Sequence, residues 1–197
     1  NTMIDDNLKE FLDEKVAQYN CVDFIESDPV SIPHQFTLKE DIEIAGFLAA
    51  TIAWGQRKTI INNANRMVKL MGDSPFDFVM SHSDKSLTKL SDFKHRTFNG
   101  EDFKFFIKSL KNIYQNHNGL ESVFAVNHDT TMLPGIENFR NIFFEIAKEE
   151  NKRTYKHVSS PLKGSAAKRI NMFLRWMVRQ DKKGVDFGIW KTISPSI

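Results

Sequence analysis

Asn99-Gly100-Glu101-Asp102-Phe103-Lys104-Phe105-Phe106-Ile107-Lys108-Ser109-Leu110-Lys111-Asn112-Ile113-Tyr114 is the stretch that settles the fold class. Asn99 with Asp102 three residues on has the form of a helix N-terminus, because both side chains can accept from backbone N–H groups that the first turn leaves unpaired. Phe103, Phe106, Ile107, Leu110, Ile113 and Tyr114 then recur at helical spacing and share one face, and Gly119 supplies the stop.

The same pattern extends in both directions. Leu8, Phe11, Leu12, Lys15 and Val16 fit one helix face, and Asp28 to Phe36, with Pro29 and Pro33, reads as loop. Thr37 with Glu40 makes a second capping box before Ile42, Ala45, Leu48, Ala49 and Ile52. Ala45, Ala49, Ala50 and Ala53 are small enough to let another helix come close. Trp54-Gly55-Gln56 breaks this run, and the next helix carries Ile60, Ala64, Met67, Val68 and Met71 up to Gly72. Ser74-Pro75 is an N-cap followed by a first helical residue, and His82 to Lys89 is polar enough for a loop or a frayed helix. Ile136, Phe139, Phe143 and Ile146 give a further helix, Lys152 to Gly164 reads as loop, and a last helix starts at Ser165 and buries Ala166, Ile170, Phe173, Leu174 and Met177. No segment alternates like a strand. The expectation is an all-α protein of about seven helices.

The chain has 197 residues, 41% hydrophobic and 26% charged, with 17 Phe against 3 Tyr, so a large aromatic core is expected. No apolar run approaches the ~20 residues of a membrane span, and the acidic start does not resemble a secretory signal. With the single Cys21, this suggests a cytoplasmic protein. The net charge of +2 conceals a split: residues 1–151 carry 16 Lys and Arg against 23 Asp and Glu, whereas Lys152 to Lys183 carries ten basic residues and one acid, Asp181. Such a split suits contact with a polyanion, although a solvated helix face beside a loop accounts for it too. His34, His82, His95, His117, His128 and His157 show no metal-ligand spacing and read as surface or capping residues. No nucleotide-binding glycine fingerprint and no G-x-S-x-G elbow is present, and neither a metal nor a cofactor is expected.

Leu162-Lys163-Gly164-Ser165-Ala166-Ala167-Lys168 is the most informative local sequence. Gly164 allows a tight turn and Ser165 is a good N-cap, which makes Ala166 the first helical residue and Lys168 the third. An amine at the positive end of the helix dipole, with Lys163 and Arg169 nearby, is favoured in its free, nucleophilic form. The helix start also presents N–H groups that suit a phosphate. The plainer reading is a surface lysine beside a cap.

This run, L-x-G-x-A-x-K before an apolar helix, resembles the hairpin-helix element of the helix-hairpin-helix DNA glycosylases, whose bifunctional members carry L-P-G-x-G-x-K with a lysine that attacks the sugar. Lys163 stands here where those proteins have Pro, and Ala166 where they have the second Gly. Lys168 to Arg175 is similar to the K-x-x-x-x-F-L-R of archaeal-type 8-oxoguanine DNA glycosylases. Trp54-Gly55-Gln56, between two helices, resembles the region of that superfamily whose polar side chain fills the space left by a flipped base, with Gln56 in the matching position. The chain as a whole is similar to a bacterial conserved-hypothetical family, through His95 to Gly100, Lys168 to Arg179, and Val185 to Trp190.

The glycosylase resemblance implies a helix-hairpin-helix architecture over residues 1–197, with a central bundle at 37–150 and a hairpin-helix part formed by 1–36 and 151–197. It implies a base-excision glycosylase and AP lyase acting on an oxidised base, with DNA as partner and Lys168 as Schiff-base lysine. Gln56, Arg57, Lys163, Gly164, Ser165, Arg169, Arg175 and Arg179 would contact the DNA. Such enzymes need an aspartate after the lysine helix. Asp186 has a usable spacing, although Gly184 to Gly188 reads better as a turn, and the expectation is that the acid lies beyond Ile197. The alternatives are a non-catalytic helical nucleic-acid-binding module and a protein-interaction scaffold.

Overall fold

A computed structural model describes residues 2–126, 131–163 and 167–194. Among them the chain is mostly helical: α1 (Thr2–Tyr19), α2 (Val22–Ile25), α3 (Lys39–Thr51), α4 (Arg57–Leu70), α5 (Pro75–Ser81), α6 (Asp84–Thr88), α7 (Gly100–Asn116), α8 (Leu120–Phe124), α9 (Leu133–Phe143) and α10 (Lys168–Val178). A two-residue antiparallel pair, β1 (Lys94–His95) with β2 (Phe98–Asn99), interrupts them, in the register Lys94 to Asn99 and His95 to Phe98. No described helix is long and apolar enough to cross a membrane.

α3 is the axis of the packing. Every residue from Ile42 to Thr51 is buried, so this helix meets protein on all sides rather than along one stripe. The small residues of α3 do admit a second helix, and that helix is α10. A Cβ added at Gly46 would sit 3.4 Å from Met177 and 3.5 Å from Phe173. Phe47 collects four rings around itself: Phe106 of α7 at 5.5 Å, Phe139 and Phe143 of α9 at 5.4 and 5.7 Å, and Phe173 of α10 at 5.6 Å. Edge-to-face and offset pairs at such separations add to the gain from area burial. The resulting cluster is continuous from Val30 to Ile193.

The capping box at Asn99 forms as expected, with Asn99 Oδ1 accepting from the Glu101 and Asp102 N–H groups and Asp102 accepting from the Asn99 N–H. Several boundaries differ. α3 starts after Leu38, with no side-chain cap from Thr37. The polar stretch after His82 contains α6, which Ser83 and Ser86 close reciprocally. Lys152 to Gly164 is expected as loop, but its first six residues end a nine-residue 3-10 helix, Glu149–His157, that begins at an Asn151–Lys148 capping pair. α10 begins at Lys168 with Ala167 in the left-handed conformation as its N-cap, so Lys168 is the first helical residue and not the third; Gly164, Ser165 and Ala166 lie outside the described residues. The expected apolar face of α1 is helical but about half exposed, at 52% for Phe11 and 46% for Val16.

Glu43, on the buried α3, accepts a hydrogen bond from Trp190 Nε1 at 3.0 Å. Burial pushes its carboxyl up to about 7; Lys39 and the Trp190 bond oppose the rise, and Glu40 and Glu121 add to it. Between 4.5 and about 7 the unfolded chain has lost this proton while the folded chain holds it, so stability falls as pH rises through that window. Glu43→Gln keeps an acceptor for Trp190 and removes the loss. Denaturant unfolding at pH 8 should show the variant more stable by about 2–3 kcal/mol, with the gain shrinking towards pH 4.5.

Candidate functional site

The turn between α3 and α4 and the start of α10 meet. Arg169, the second residue of α10, lays its guanidinium over the Trp54 ring at 4.6 Å from the centroid and donates through Nη1 to the Thr51 carbonyl at the end of α3. The guanidinium is planar and weakly hydrated, which suits it to stacking on an indole in a half-buried place. Burial lowers the Arg169 pKa from its ordinary value. Trp54 is held from further directions by His95, edge-on at 5.0 Å, and by His157, stacked at 6.0 Å.

His95 and His157 are buried, contrary to the expectation of surface or capping positions, whereas His82 and His117 are the C-caps of α5 and α7 as expected, and His128 lies outside the described residues. His95 is buried because the β1–β2 turn, with Arg96 at φ 53°, folds its ring under Trp54. Asn63 Nδ2 donates to His95 Nδ1 at 2.8 Å, so Nε2 carries the hydrogen that the Trp54 carbonyl accepts at 3.0 Å. Burial lowers the His95 pKa, the Trp54 carbonyl opposes this, and the charges of Arg96 and Arg169 lower it further. Gly55 has φ 109°, and a Cβ there would lie 3.1 Å from the Arg96 guanidinium, so the turn is shaped to let Arg96 pass over it.

Behind His157 sits Asp102, with its side chain fully buried. It accepts from Arg153 Nη1 at 2.7 Å, Thr154 Oγ1 at 2.8 Å, His157 Nε2 at 3.2 Å and the Asn99 N–H at 3.0 Å. Burial alone would raise its pKa; the bonds from His157, Asn99 and Thr154 and the His157 charge outweigh this and lower it below its ordinary 3.8. Three side chains of the 3-10 helix from Glu149 to His157 thus converge on one carboxylate, which orients His157 against Trp54, while Arg153 also donates to the Thr97 carbonyl and Tyr155 stacks on Phe144.

The residues expected to act on DNA separate into two groups. Lys168 is exposed, and among the described residues its side chain has no hydrogen-bond or ion-pair partner; the same holds for the side chains of Lys163 and of Gln56, the N-cap of α4. Arg57 lies 3.9 Å from Asp28 and over the Phe24 ring at 5.5 Å. Arg175 and Arg179 are bound within the protein, Arg175 Nε to Asp186 at 3.3 Å, Arg179 Nε to Asp181 at 3.2 Å and Arg179 Nη1 to Asp186 at 3.8 Å. Gly164 and Ser165 lie outside the described residues.

Asp186 is therefore placed beside the second half of α10, about 10–16 Å along the axis from Lys168 at ~1.5 Å per residue, and is not brought to the lysine. Its side chain is fully buried; burial raises its pKa, and Arg175 and Arg179 oppose the rise. Asn63, Arg153 and Thr154 could not be singled out beforehand, since isolated polar residues carry no periodic signal, and Asp102 was visible only as a helix cap. His95 was visible as part of a phrase, without a role.

With this geometry established, comparison places the chain in the family described as Protein of unknown function (DUF2400), which it matches over residues 28–197 and to which it belongs. No curated protein and no solved structure matches it.

Asp102 can be tested directly. Its lowered pKa contributes stability that is present above 3.8 and is lost as pH falls through the folded value. Asp102→Asn should lower the unfolding free energy at pH 7 by about 3–5 kcal/mol, because Arg153 and His157 lose their counter-charge, and denaturant titrations below pH 4 should show the gap closing.

Proposed function

We propose that the protein is a DNA base-excision glycosylase and AP lyase of helix-hairpin-helix type, acting on an oxidised base, with Lys168 as its nucleophile. One observation supports this above the rest. The two short segments that resemble that superfamily, Trp54 to Gln56 and the start of α10, are more than a hundred residues apart, yet Arg169 joins them through Trp54 and the Thr51 carbonyl. Exposed Lys168 precedes that arginine and exposed Gln56 follows that tryptophan by two, so a nucleophile and a gap-filling amide border one junction.

In this reading a damaged base leaves the duplex stack. The Lys168 amine, as free base, uses its lone pair to form a bond to C1′. The C1′–N glycosidic bond breaks, its electron pair leaves with the base, and the base takes a proton from water. The nitrogen then gives up a proton, O4′ gains one as the C1′–O4′ bond opens, and an iminium remains. Removal of a C2′ proton breaks the C3′–O bond and releases the 3′ phosphate, which nicks the strand. Lys156, Lys163, Lys182 and Lys183 are exposed and would bear on the phosphates. Arg175, Arg179 and Asp186 hold one another and take no part in the attack.

The position of Asp186 favours one competitor, a non-catalytic nucleic-acid-binding module that uses the same exposed lysines. That protein would bind DNA with a steep loss of affinity as salt rises and form no covalent bond.

Borohydride separates the two. The protein is incubated with duplexes carrying 8-oxoguanine or an abasic site, and the iminium is reduced in place. A stable protein–DNA adduct is expected, and Lys168→Ala should lower its yield at least a hundredfold. No adduct, or one that persists in Lys168→Ala, would sink the lysine mechanism.

A further inference from the structure

A cavity of about 320 Å³ opens where the start of α3, the end of α7 and the start of α8 meet. It lies away from the Trp54 junction: Glu43, in its wall, precedes Thr51 by eight residues, about 12 Å along α3. The charged part of its lining is one-sided, with Glu40, Glu43 and Glu121 against a single cation, Lys39. Lys39 is taken up by Glu121, to which it donates, and Glu121 also accepts from the Thr192 N–H and hydroxyl. Among the described residues no base forms an ion pair with Glu40 or Glu43.

Neighbouring groups feel the field that this leaves. Burial raises the Tyr114 pKa, and the charges of Glu43, Glu40 and Asp41 raise it further. Burial lowers the Lys39 pKa, but the bond to Glu121 and the charges of Glu43, Glu121 and Glu40 outweigh this and raise it. The space between these groups therefore favours a positive charge.

Glu43 adds a directed acceptor. The residue is 2% exposed, and Trp190 Nε1 donates to its Oε2. Oε1 takes no donor among the described residues and is not sealed from solvent, whereas the Tyr114 hydroxyl is. The opening left to so buried a side chain is the cavity whose wall it forms. Tyr114 meets the same space with its ring and not its hydroxyl. Gly119, at φ 91°, leaves that ring clear, since a Cβ there would stand 3.2 Å from Cε1. An apolar residue in place of Glu43 would cost the fold less, and a dry carboxyl in the wall of a cavity is a group placed to meet charge from outside.

We propose that this cavity binds a small organic ammonium ion, whose N–H donates to Glu43 Oε1 and whose carbon body rests on the Tyr114 ring, with Glu40 adding charge from the same wall. An ammonium supplies both things the wall lacks, a donor and a positive charge. A metal ion fits less well, because among the described residues no three acids or histidines converge to hold one. The site stands apart from Lys168 and does not rest on the DNA reading.

Occupation changes the proton count. In the empty cavity burial holds the Glu43 carboxyl at about 7, with Lys39 and the Trp190 bond opposing the rise and Glu40 and Glu121 adding to it. A cation beside it favours the ionised form, so binding below that value expels a proton. Calorimetry with n-butylammonium tests this, with tetramethylammonium as a cation of similar size that has no N–H. Butylammonium should bind saturably at pH 8, and tetramethylammonium at least about tenfold more weakly, for want of the charge-assisted hydrogen bond. The butylammonium association constant should fall about tenfold from pH 8 to pH 6 as Glu43 takes up its proton, while the amine stays charged as a lysine does. Glu43→Gln keeps the acceptor for Trp190 and should abolish both the binding and its pH dependence. The glutamine is expected to stabilise the fold, so binding lost there is not folding lost, and melting curves at pH 8 check this. No saturable binding of butylammonium at pH 8, equal affinity for tetramethylammonium, an affinity that stays constant between pH 6 and pH 8, or a Glu43→Gln variant that binds like the parent would each overturn the proposal.

Discussion

The structure depends on one helix that has no outside. From Ile42 to Thr51 α3 is buried on every face, so its polar groups are satisfied within the protein and its neighbours are fixed around it. The bulk of those neighbours is set by Phe47, which touches rings from α7, α9 and α10 at once. A close-packed interior of this kind transmits position: where α10 lies against Gly46 determines where its first residues emerge, and hence where Arg169 and Lys168 stand relative to the end of α3. The one buried acid on this helix, Glu43, shows the cost of such burial, with its carboxyl pushed up to about 7.

The junction at Trp54 follows from that placement. The end of α3 leaves carbonyl groups without helical partners, and Arg169 satisfies the one at Thr51. The indole then fills the space between this arginine and two histidines that are themselves anchored, His95 by Asn63 and His157 by Asp102. A polar cluster in a half-buried place is stable when each member has a partner, and here the partners come from α4, α7, the β1–β2 turn and the 3-10 helix after α9. Gln56 and Lys168, which border the cluster without entering it, are left at the surface on a rigid base.

Much of the fold was legible because it rests on periodicity. Phe103, Phe106, Ile107, Leu110 and Ile113 repeat at helical spacing and are all buried, and Gly72, Ser74-Pro75 and Asn99 mark helix ends by residue-specific chemistry that acts within a few positions. The Glu149–His157 helix was not legible, since it is held by polar contacts to distant residues, chiefly Asp102, and its sequence carries charge without an apolar stripe. The half-exposed face of α1 has a related lesson: amphipathic spacing shows that a helix has an apolar face and does not show what covers it. Lys168 and Gln56 could be singled out only through resemblance, and the approach of the end of α3 to the start of α10 could not be read, because it depends on Arg169 reaching across from another part of the chain. Asp186 was read by spacing along the sequence, but a helix separates such residues in space, and the arginines of α10 hold the acid at its far end.

The basic segment from Lys152 to Lys183 proves to contain two kinds of charge. Its arginines are engaged inside the protein, Arg153 with Asp102, Arg169 with Trp54, and Arg175 and Arg179 with Asp186 and Asp181. Of its lysines, Lys152 pairs with Glu149, whereas Lys156, Lys163, Lys168, Lys182 and Lys183 are exposed. The division follows the chemistry of the two side chains: the flat guanidinium stacks and forks well in partly dry places, and the strongly hydrated ammonium stays in water. For the proposed function this has a consequence. Exposed lysines contact phosphates as point charges, which hold a duplex in place without distinguishing its sequence. Under that proposal, discrimination between bases has to come from groups other than these lysines, ones that are dry and fixed.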